Sequence, residues 1–368
     1  MEQDERRPGA VRVVADLEPV RVDRRQGLSS VIDAGLRDAR PLRMTAYPPD
    51  TMPEISALTS QSWTGPDDLL ALESIVSAAW RGPDRPLVSC TVGDLEWWLA
   101  SGGPDVDWSE RIRIWSIGGD PVAWGWLKPP ASLEWFVSHA VAPADERAIR
   151  DDILAWHAGV TRAATADAAT TGAAAPITMD VWAADGRLEA ELLRDRGWTA
   201  TNVSLSQIMQ TLDIELDPPR VPDDYVPRSV HIPDDIPARV AVHRAAFAPS
   251  QMTEAKYGIL VGQCHYAPER DIVIEARDGT FAAFAMCWAD PVGSIGEFEP
   301  VGTHPDHQRR GLGRLFMRHG LRLMRAAGLR DALVFSLQSN AASEALYRSA
   351  GFTTVAVHRL YSASLGPA

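Results

Sequence analysis

The sequence predicts an α/β (α+β) protein of two tandem modules, each a mixed, mostly antiparallel sheet flanked by helices. Three observations lead there: the length, landmarks that recur in the same order, and strand–turn–helix punctuation in both halves. At 368 residues the chain exceeds one ordinary domain of roughly 150 residues. Either half is then large enough to bury a core without a disulfide or metal staple.

The first landmark is PDDLLALESIVSAAW, Pro66 to Trp80, answered by PDDIPARVAVHRAAF, Pro233 to Phe247, at an offset of 167. Each runs from a turn into an apolar-periodic helix closed by an aromatic. RIWSIGGDPVAWGWL (Arg113 to Leu127) and IVIEARDGTFAAFAMCW (Ile272 to Trp288) both read as strand, turn, strand, with an offset of 160 between Gly119 and Gly279. Asp278-Gly279 is a strong hairpin turn. The strand before Val141-Ala142-Pro143 answers the one before Thr303-His304-Pro305 at 162, and LEAELLRDRGW (Leu188 to Trp198) answers a helix ending Gly351-Phe352 at 154. Shared order makes a duplicated module the reading. Each copy runs helix, two hairpin strands, strand, helix, strand, helix, strand. The eight residues by which the first copy is longer fall in the Ala/Thr-rich Thr161–Pro176, read as a low-complexity loop. The Pro-rich Asp217 to Pro227 carries the boundary. The domains are therefore 1–50, an N-terminal extension; 51–216; and 217–368.

Composition removes several classes of function. Apolar residues are 45% and charged residues 23%, a globular balance. The net charge of −13 lacks the broad positive field that a nucleic-acid or anionic-membrane binder needs. No run of 18 apolar residues occurs. The charged opening MEQDERRPGA predicts no leader peptide. Three cysteines, Cys90, Cys264 and Cys287, have no CxxC spacing and an odd number, so a cytoplasmic, reducing location is expected.

The stretch that carries chemistry is Ser294 to Gly328. A strand over Ile295–Thr303 meets a turn at His304-Pro305-Asp306. Gln308-Arg309-Arg310-Gly311-Leu312-Gly313 then opens an amphipathic helix. Unpartnered N–H groups at a helix start and the helix dipole suit a pyrophosphate, and Gly311 and Gly313 would let it approach. Arg309, Arg310 and Arg314 flank the turn as phosphate ligands; Arg318, Arg322 and Arg325 read as a solvated face. No GK[ST] follows, so this is not a Walker A loop, and a third dinucleotide-fold glycine is missing.

These residues resemble the GCN5-related N-acetyltransferase (GNAT) family. Its pattern is a strand, V-x-P, then [QR]-x-x-G-x-[GA] at a helix start. Here stand Thr303-His304-Pro305 and Gln308 to Gly313, followed by the family's Asn…Tyr…Gly-Phe signature as Asn340, Tyr347 and Gly351-Phe352. Thr303 departs from the usual aliphatic residue. The resemblance covers about residues 225–362 closely and extends weakly over 52–215.

The resemblance implies acetyl-CoA as co-substrate, with no metal. The backbone of Val301, Gly302 and Thr303 would pair with its pantetheine arm. Gln308, Arg309, Arg310, Gly311, Leu312, Gly313 and Arg314 would cradle its pyrophosphate, and Asn340 would contact the pantetheine. Glu297 would be the general base, with Glu299 the second choice on the same strand face. A main-chain N–H near Val301 would serve the oxyanion, and Tyr347 would be the acid.

In the first copy, aligning Pro143 with Pro305 puts Glu146, Ile149 and Asp151 at Gln308, Gly311 and Gly313. Leu193 then falls at Tyr347 and Trp135 at Glu297. That copy is read as degenerate. Twelve of the thirteen tryptophans lie in it, mostly as core; Trp97-Trp98 is the pair that would line a cleft. His304 and His307 lack a third ligand for zinc, and Cys287 reads as core.

The expected function is transfer of an acetyl group to a primary amine of a small molecule or peptide in a ternary complex. A cysteinyl pseudodisaccharide is the alternative acceptor, and a non-catalytic acyl-CoA sensor the rival class. No nucleic-acid or membrane partner is expected, and oligomeric state is left open.

Overall fold

The computed structural model describes residues 58–82, 85–128, 131–170 and 178–365. The extension read over residues 1–50 lies outside them. The first half runs β1 (Leu58–Ser62), α1 (Pro66–Trp80), α2 (Val92–Gly102), β2 (Ile112–Ile117), β3 (Asp120–Lys128), β4 (Ser132–Val137), α3 (Pro143–Thr170), β5 (Thr178–Ala184), α4 (Leu188–Asp195), β6 (Thr199–Thr211). The second repeats that order as β7 (Tyr225–Ser229), α5 (Ile236–Ala246), α6 (Glu254–Val261), β8 (Asp271–Ala276), β9 (Phe281–Asp290), β10 (Ile295–Thr303), α7 (Leu312–Ala326), β11 (Asp331–Leu337), α8 (Ala341–Ser349), β12 (Thr353–Ser364). The duplicated module is present. Each copy also opens on a strand and inserts a second helix, two elements the landmarks passed over.

Local chemistry explains most of the element ends. Pro66 fits the first helical position of α1, and Asp67 and Asp68 complement its positive end. Asp68 also accepts from the Thr64 N–H and hydroxyl, at 2.5 and 2.9 Å. The Ala/Thr-rich segment corrects the sequence reading. Through Thr170 it continues α3 rather than forming a loop, because alanine is the best helix former and nothing breaks the run. Residues 171–177 lie outside the described set.

Two compact units result. Among the described residues, the C-terminal unit comprises 91–106 and 206–355. The N-terminal unit comprises 58–90, 107–205 and 356–365. This differs from a boundary at 216/217: α2 and the end of β6 go with the C-terminal unit, and most of β12 goes with the N-terminal one. Strand order in the N-terminal unit is β1-β2-β3-β4-β5-β12. Its first four strands are antiparallel, β4 and β5 are parallel, and β12 is antiparallel to β5. The C-terminal unit repeats the order as β7-β8-β9-β10-β11-β6, and there too β10 and β11 are parallel. Each sheet therefore takes its last strand from the other copy.

Each unit has its own core. Trp115, Trp135 and Trp198 pack with Ile149, Ile153 and Leu193 in the N-terminal unit. Two of the indole N–H groups find partners: Trp115 on Asp152 at 2.6 Å, Trp135 on the Trp182 carbonyl at 3.0 Å. In the C-terminal unit Phe284, Trp288, Phe298, Leu315 and Tyr347 share a core with Trp97. Trp97 is buried there, its ring 5.9 Å from that of His243, and Trp98 packs half-buried against the same core.

Candidate active site

The site is built on β10. Its pairing with β9 runs from Ile295 to Phe298, slips at a bulge, and resumes at Val301 opposite Ala285. Its parallel pairing with β11 covers only Ile295–Glu297 against Asp331–Leu333. Bulges re-aim side chains and interrupt ladders, and here the interrupted stretch is Glu299-Pro300. The Glu299 carbonyl accepts from the Trp288 indole at 2.7 Å.

Glu297 and Glu299 do share a face, and Asp94 joins them. Carboxylate oxygens of all three lie within 4.8 Å of one another, and all three side chains are buried. Asp94 comes from the first turn of α2. There Thr91 and Asp94 form a reciprocal capping box: the Thr91 N–H donates to Asp94 Oδ2 at 2.8 Å and the Asp94 N–H to Thr91 Oγ1 at 3.1 Å. The Thr91 hydroxyl donates onward to Glu297 Oε2. Glu297 Oε1 has no hydrogen-bond partner among the described residues. Burial, with the Asp94 charge second, raises the Glu297 pKa well above the usual carboxylate range, and the Thr91 hydrogen bond offsets part of that.

After β10 the chain makes a short 3₁₀ turn at Pro305–His307 and two left-handed residues, Arg309 at φ 60° and Gly311 at φ 81°. Gly311 begins α7, whose N-terminus has no side-chain cap and no acidic residue in its first turn. The two glycines do different work. A Cβ on Gly311 would meet nothing, so glycine serves its backbone angle. A Cβ on Gly313 would lie 3.0–3.1 Å from Leu346, so there glycine serves α7–α8 packing.

The arginines also separate. Arg310 is tied to the Tyr225 hydroxyl and the Asp306 carbonyl, both at 3.1 Å, and braces the turn. Arg309 and Arg314 are exposed and make no hydrogen bond or ion pair among the described residues. Arg318 and Arg322 are not a purely solvated face: they reach Asp217 and the Leu216 carbonyl, at 3.8 and 2.9 Å. Gln308 closes the 3₁₀ turn, and Leu312 is buried.

Val301 and Gly302 are buried and Thr303 half-buried at the end of β10. Asn340 caps α8, its Oδ1 accepting from the Ser343 N–H at 3.1 Å. Tyr347, two turns after Asn340, is 0% exposed. Burial, then the Glu299 charge, pushes the phenol well above its ordinary pKa, and a hydrogen bond with Ser343 offsets part of that.

Sequence reasoning missed Thr91 and Asp94. The T-x-x-D spacing before an apolar run was a visible helix-start signal. Nothing in it named Glu297, 206 residues away, as the partner.

Residues 240–352 match the Acetyltransferase (GNAT) family. The curated relatives include mycothiol acetyltransferases of Beutenbergia cavernae, 34% identical over 129 residues (34% of this chain, 43% of that protein), and of Streptomyces griseus, 29% over 186 residues (49% and 60%). The aligned region thus spans about half the length of these relatives. A GCN5-related N-acetyltransferase from Sphaerobacter thermophilus shares the fold at TM-score 0.60 and 16% identity, covering 86% of this chain and 98% of that one. A tandem GNAT protein from the clavulanic acid biosynthesis pathway does so at 0.58 and 14%, covering 84% and 99%. The chain shares the fold of solved tandem GNAT proteins, and its residues 240–352 are similar to the Acetyltransferase (GNAT) family.

Proposed function

We propose that this chain is an acetyl-CoA-dependent N-acetyltransferase whose chemistry resides in the copy spanning residues 217–368, and that the copy over 51–216 is degenerate. The observation that carries the reading is the unpartnered, buried Glu297 Oε1 on the strand that runs into an uncapped helix start.

Acetyl-CoA, as co-substrate, supplies an activated acetyl group and a thiolate leaving group. The first-turn amides of α7, with Arg309 and Arg314, would hold its pyrophosphate. Arg310, Gln308, Gly311, Leu312 and Gly313 give that turn its shape. The backbone of Val301, Gly302 and Thr303, beyond the point where β11 pairing ends, would take the pantetheine, with Asn340 nearby. Glu297 Oε1 would accept the proton of the acceptor ammonium, directly or through water, and its raised pKa brings it nearer neutral working pH. A main-chain N–H near Val301 would donate to the developing negative charge on the carbonyl oxygen. The freed amine nitrogen would attack the thioester carbon, forming the carbon–nitrogen bond; as the carbon–sulfur bond breaks, Tyr347 would give its proton to the thiolate, and the nitrogen's remaining extra proton would restore the phenol, which burial keeps protonated.

The acceptor would be a primary amine of a small molecule or peptide. The names of the relatives make a cysteinyl pseudodisaccharide the first to try. Free cysteines and the lack, among the described residues, of a helix long and apolar enough to cross a membrane accord with a cytoplasmic setting.

The test is incubation of the full chain with acetyl-CoA and a panel of primary amines including that pseudodisaccharide, with acetylated product read by mass spectrometry. Tyr347→Phe should keep acetyl-CoA affinity within a few-fold and slow turnover roughly 10²-fold. Acetyl-CoA binding with no product from any amine would favour the sensor reading. Unchanged turnover in Tyr347→Phe would remove the tyrosine from the reaction.

A further inference from the structure

We propose that the Thr91–Asp94 capping box of α2 is the positioning device of Glu297: Thr91 fixes one carboxylate oxygen, and Asp94 governs how readily the other takes a proton. The inference rests on the reading of Glu297 as base.

The geometry leaves the Thr91 hydroxyl one role. Its oxygen accepts the Asp94 N–H, and its single proton goes to Glu297 Oε2. Oε2 is thereby occupied by a donor, and a proton arriving at this carboxylate must settle on Oε1. That atom is the unpartnered one.

The cap cannot drift from the strand. A Cβ on Gly93 would lie 2.3 Å from Trp288 Cγ, so the first turn of α2 rests directly on β9. Two residues after Asp94, Glu96 accepts the His265 N–H at 2.9 Å and its imidazole Nδ1 at 2.9 Å. Trp288 meanwhile holds the Glu299 carbonyl. Glu297 thus faces a helix held against β9 at Gly93 and against His265 at Glu96.

The charges facing Glu297 are few. Asp94 comes from α2 and Glu299 from its own strand. Its β9 and β11 neighbours, Trp288 and Leu333, do not titrate. On β9 the next residue, Cys287, packs towards Gly320 of α7, and Tyr347 of α8 faces Glu299. Asp94 and Thr91 therefore act on Glu297 with opposite sign. The negative charge favours the protonated acid, whereas the hydroxyl donor favours the carboxylate.

That opposition is what the experiment reads. In the full chain labelled with ¹³C-glutamate, the Glu297 carboxyl resonance is identified by its loss in Glu297→Gln and titrated. Asp94→Asn keeps an oxygen for the Thr91 N–H but removes the charge, and should lower the midpoint by about one unit, a tenfold change in proton affinity. Thr91→Val should raise it and slow turnover of acetyl-CoA with the cysteinyl pseudodisaccharide; Thr91→Ser should restore both. The acid limb of kcat/KM should move with each midpoint. Shifts in the same direction, or none in either variant, would overturn the proposal. If Thr91→Val does not fold, Asp94→Asn decides alone. Unchanged turnover in Glu297→Gln would instead sink the base assignment, whatever the midpoints do. Loss of turnover in Glu297→Gln with immobile midpoints would sink the positioning alone.

Discussion

The β10–α7 junction and its counterpart after β4 occupy the same place in the repeated order of elements, and they differ by a turn. After Pro305 the chain makes a 3₁₀ turn and two left-handed residues before α7 starts at Leu312. After β4 the helix starts at the matching proline, Pro143, and Glu146, Ile149 and Asp151 are already inside it. The sequence alignment set those three against Gln308, Gly311 and Gly313 as side chains that would obstruct a pyrophosphate. The structure goes further, because α3 starts at Pro143 itself and has no counterpart of the turn before α7. Ile149 is buried in the core, Asp151 pairs with Arg196 at 2.6 Å, and Glu146 holds Arg150, which lies over the Trp135 ring. Asp145 and Glu146 occupy the first turn of α3 and complement its positive end, which α7 leaves uncovered. One junction has been made into packing; the other keeps its open helix start.

The largest expected effect breaks the comparison by separating the copies. A chain of residues 217–368 retains the motif but loses α2 and the end of β6, including Trp97, Ala100 and Ile208 from the core of the C-terminal unit. It also keeps β12, whose residues 358–364 pair with β5 in the N-terminal unit. Removing several fully buried large side chains exceeds a margin of about 5–15 kcal/mol. Circular dichroism on heating should show no cooperative transition for this fragment. A sharp transition with normal acetyl-CoA binding would show that the exchanged pieces are dispensable.

The next effect contrasts the two junctions directly. Gly311→Glu puts a side chain at φ 81° and a carboxylate at the start of α7. Acetyl-CoA affinity should fall by about a hundredfold, ~2.7 kcal/mol, in calorimetry. Asp151→Gly should leave the stoichiometry at one per chain, because it removes one partner of Arg196 without creating a turn. Two sites on the unaltered chain would refute the degeneracy of the first copy.

What the sequence disclosed follows from how local each signal is. Hairpins, strand β10 and the helix at Leu312 were legible because turn glycines and apolar periodicity are written within a few residues. The exchange of β6 and β12 was not, since a strand's pattern states which face is buried and not which neighbour it pairs with. The end of α3 was misread because an Ala/Thr tract looks simple, while its alanines favour helix. At the site, Glu297 and Tyr347 were named from the resemblance to the GNAT family, and Glu299 because it shares a strand face with Glu297 by period two. Thr91 and Asp94 carried a capping signal, but their partnership with Glu297 exists only in three dimensions.

The smallest effect concerns Gly313, where the motif-based reading and the packing reading part. If glycine there admits a pyrophosphate, Gly313→Ala should weaken acetyl-CoA markedly and leave stability alone. The geometry favours the reverse. The new methyl would meet Leu346 at 3.0–3.1 Å, tight enough that this side chain must yield by a few tenths of an ångström. Alanine also gains up to about 1 kcal/mol of helix propensity over glycine, which opposes the crowding. The melting temperature should therefore move by only a few degrees, and acetyl-CoA affinity should stay within about twofold. Adding Leu346→Ala removes the crowded side chain, so the cost of Gly313→Ala measured in that background should shrink or change sign. A double-mutant cycle with no coupling, accompanied by a large loss of acetyl-CoA affinity, would return Gly313 to the ligand.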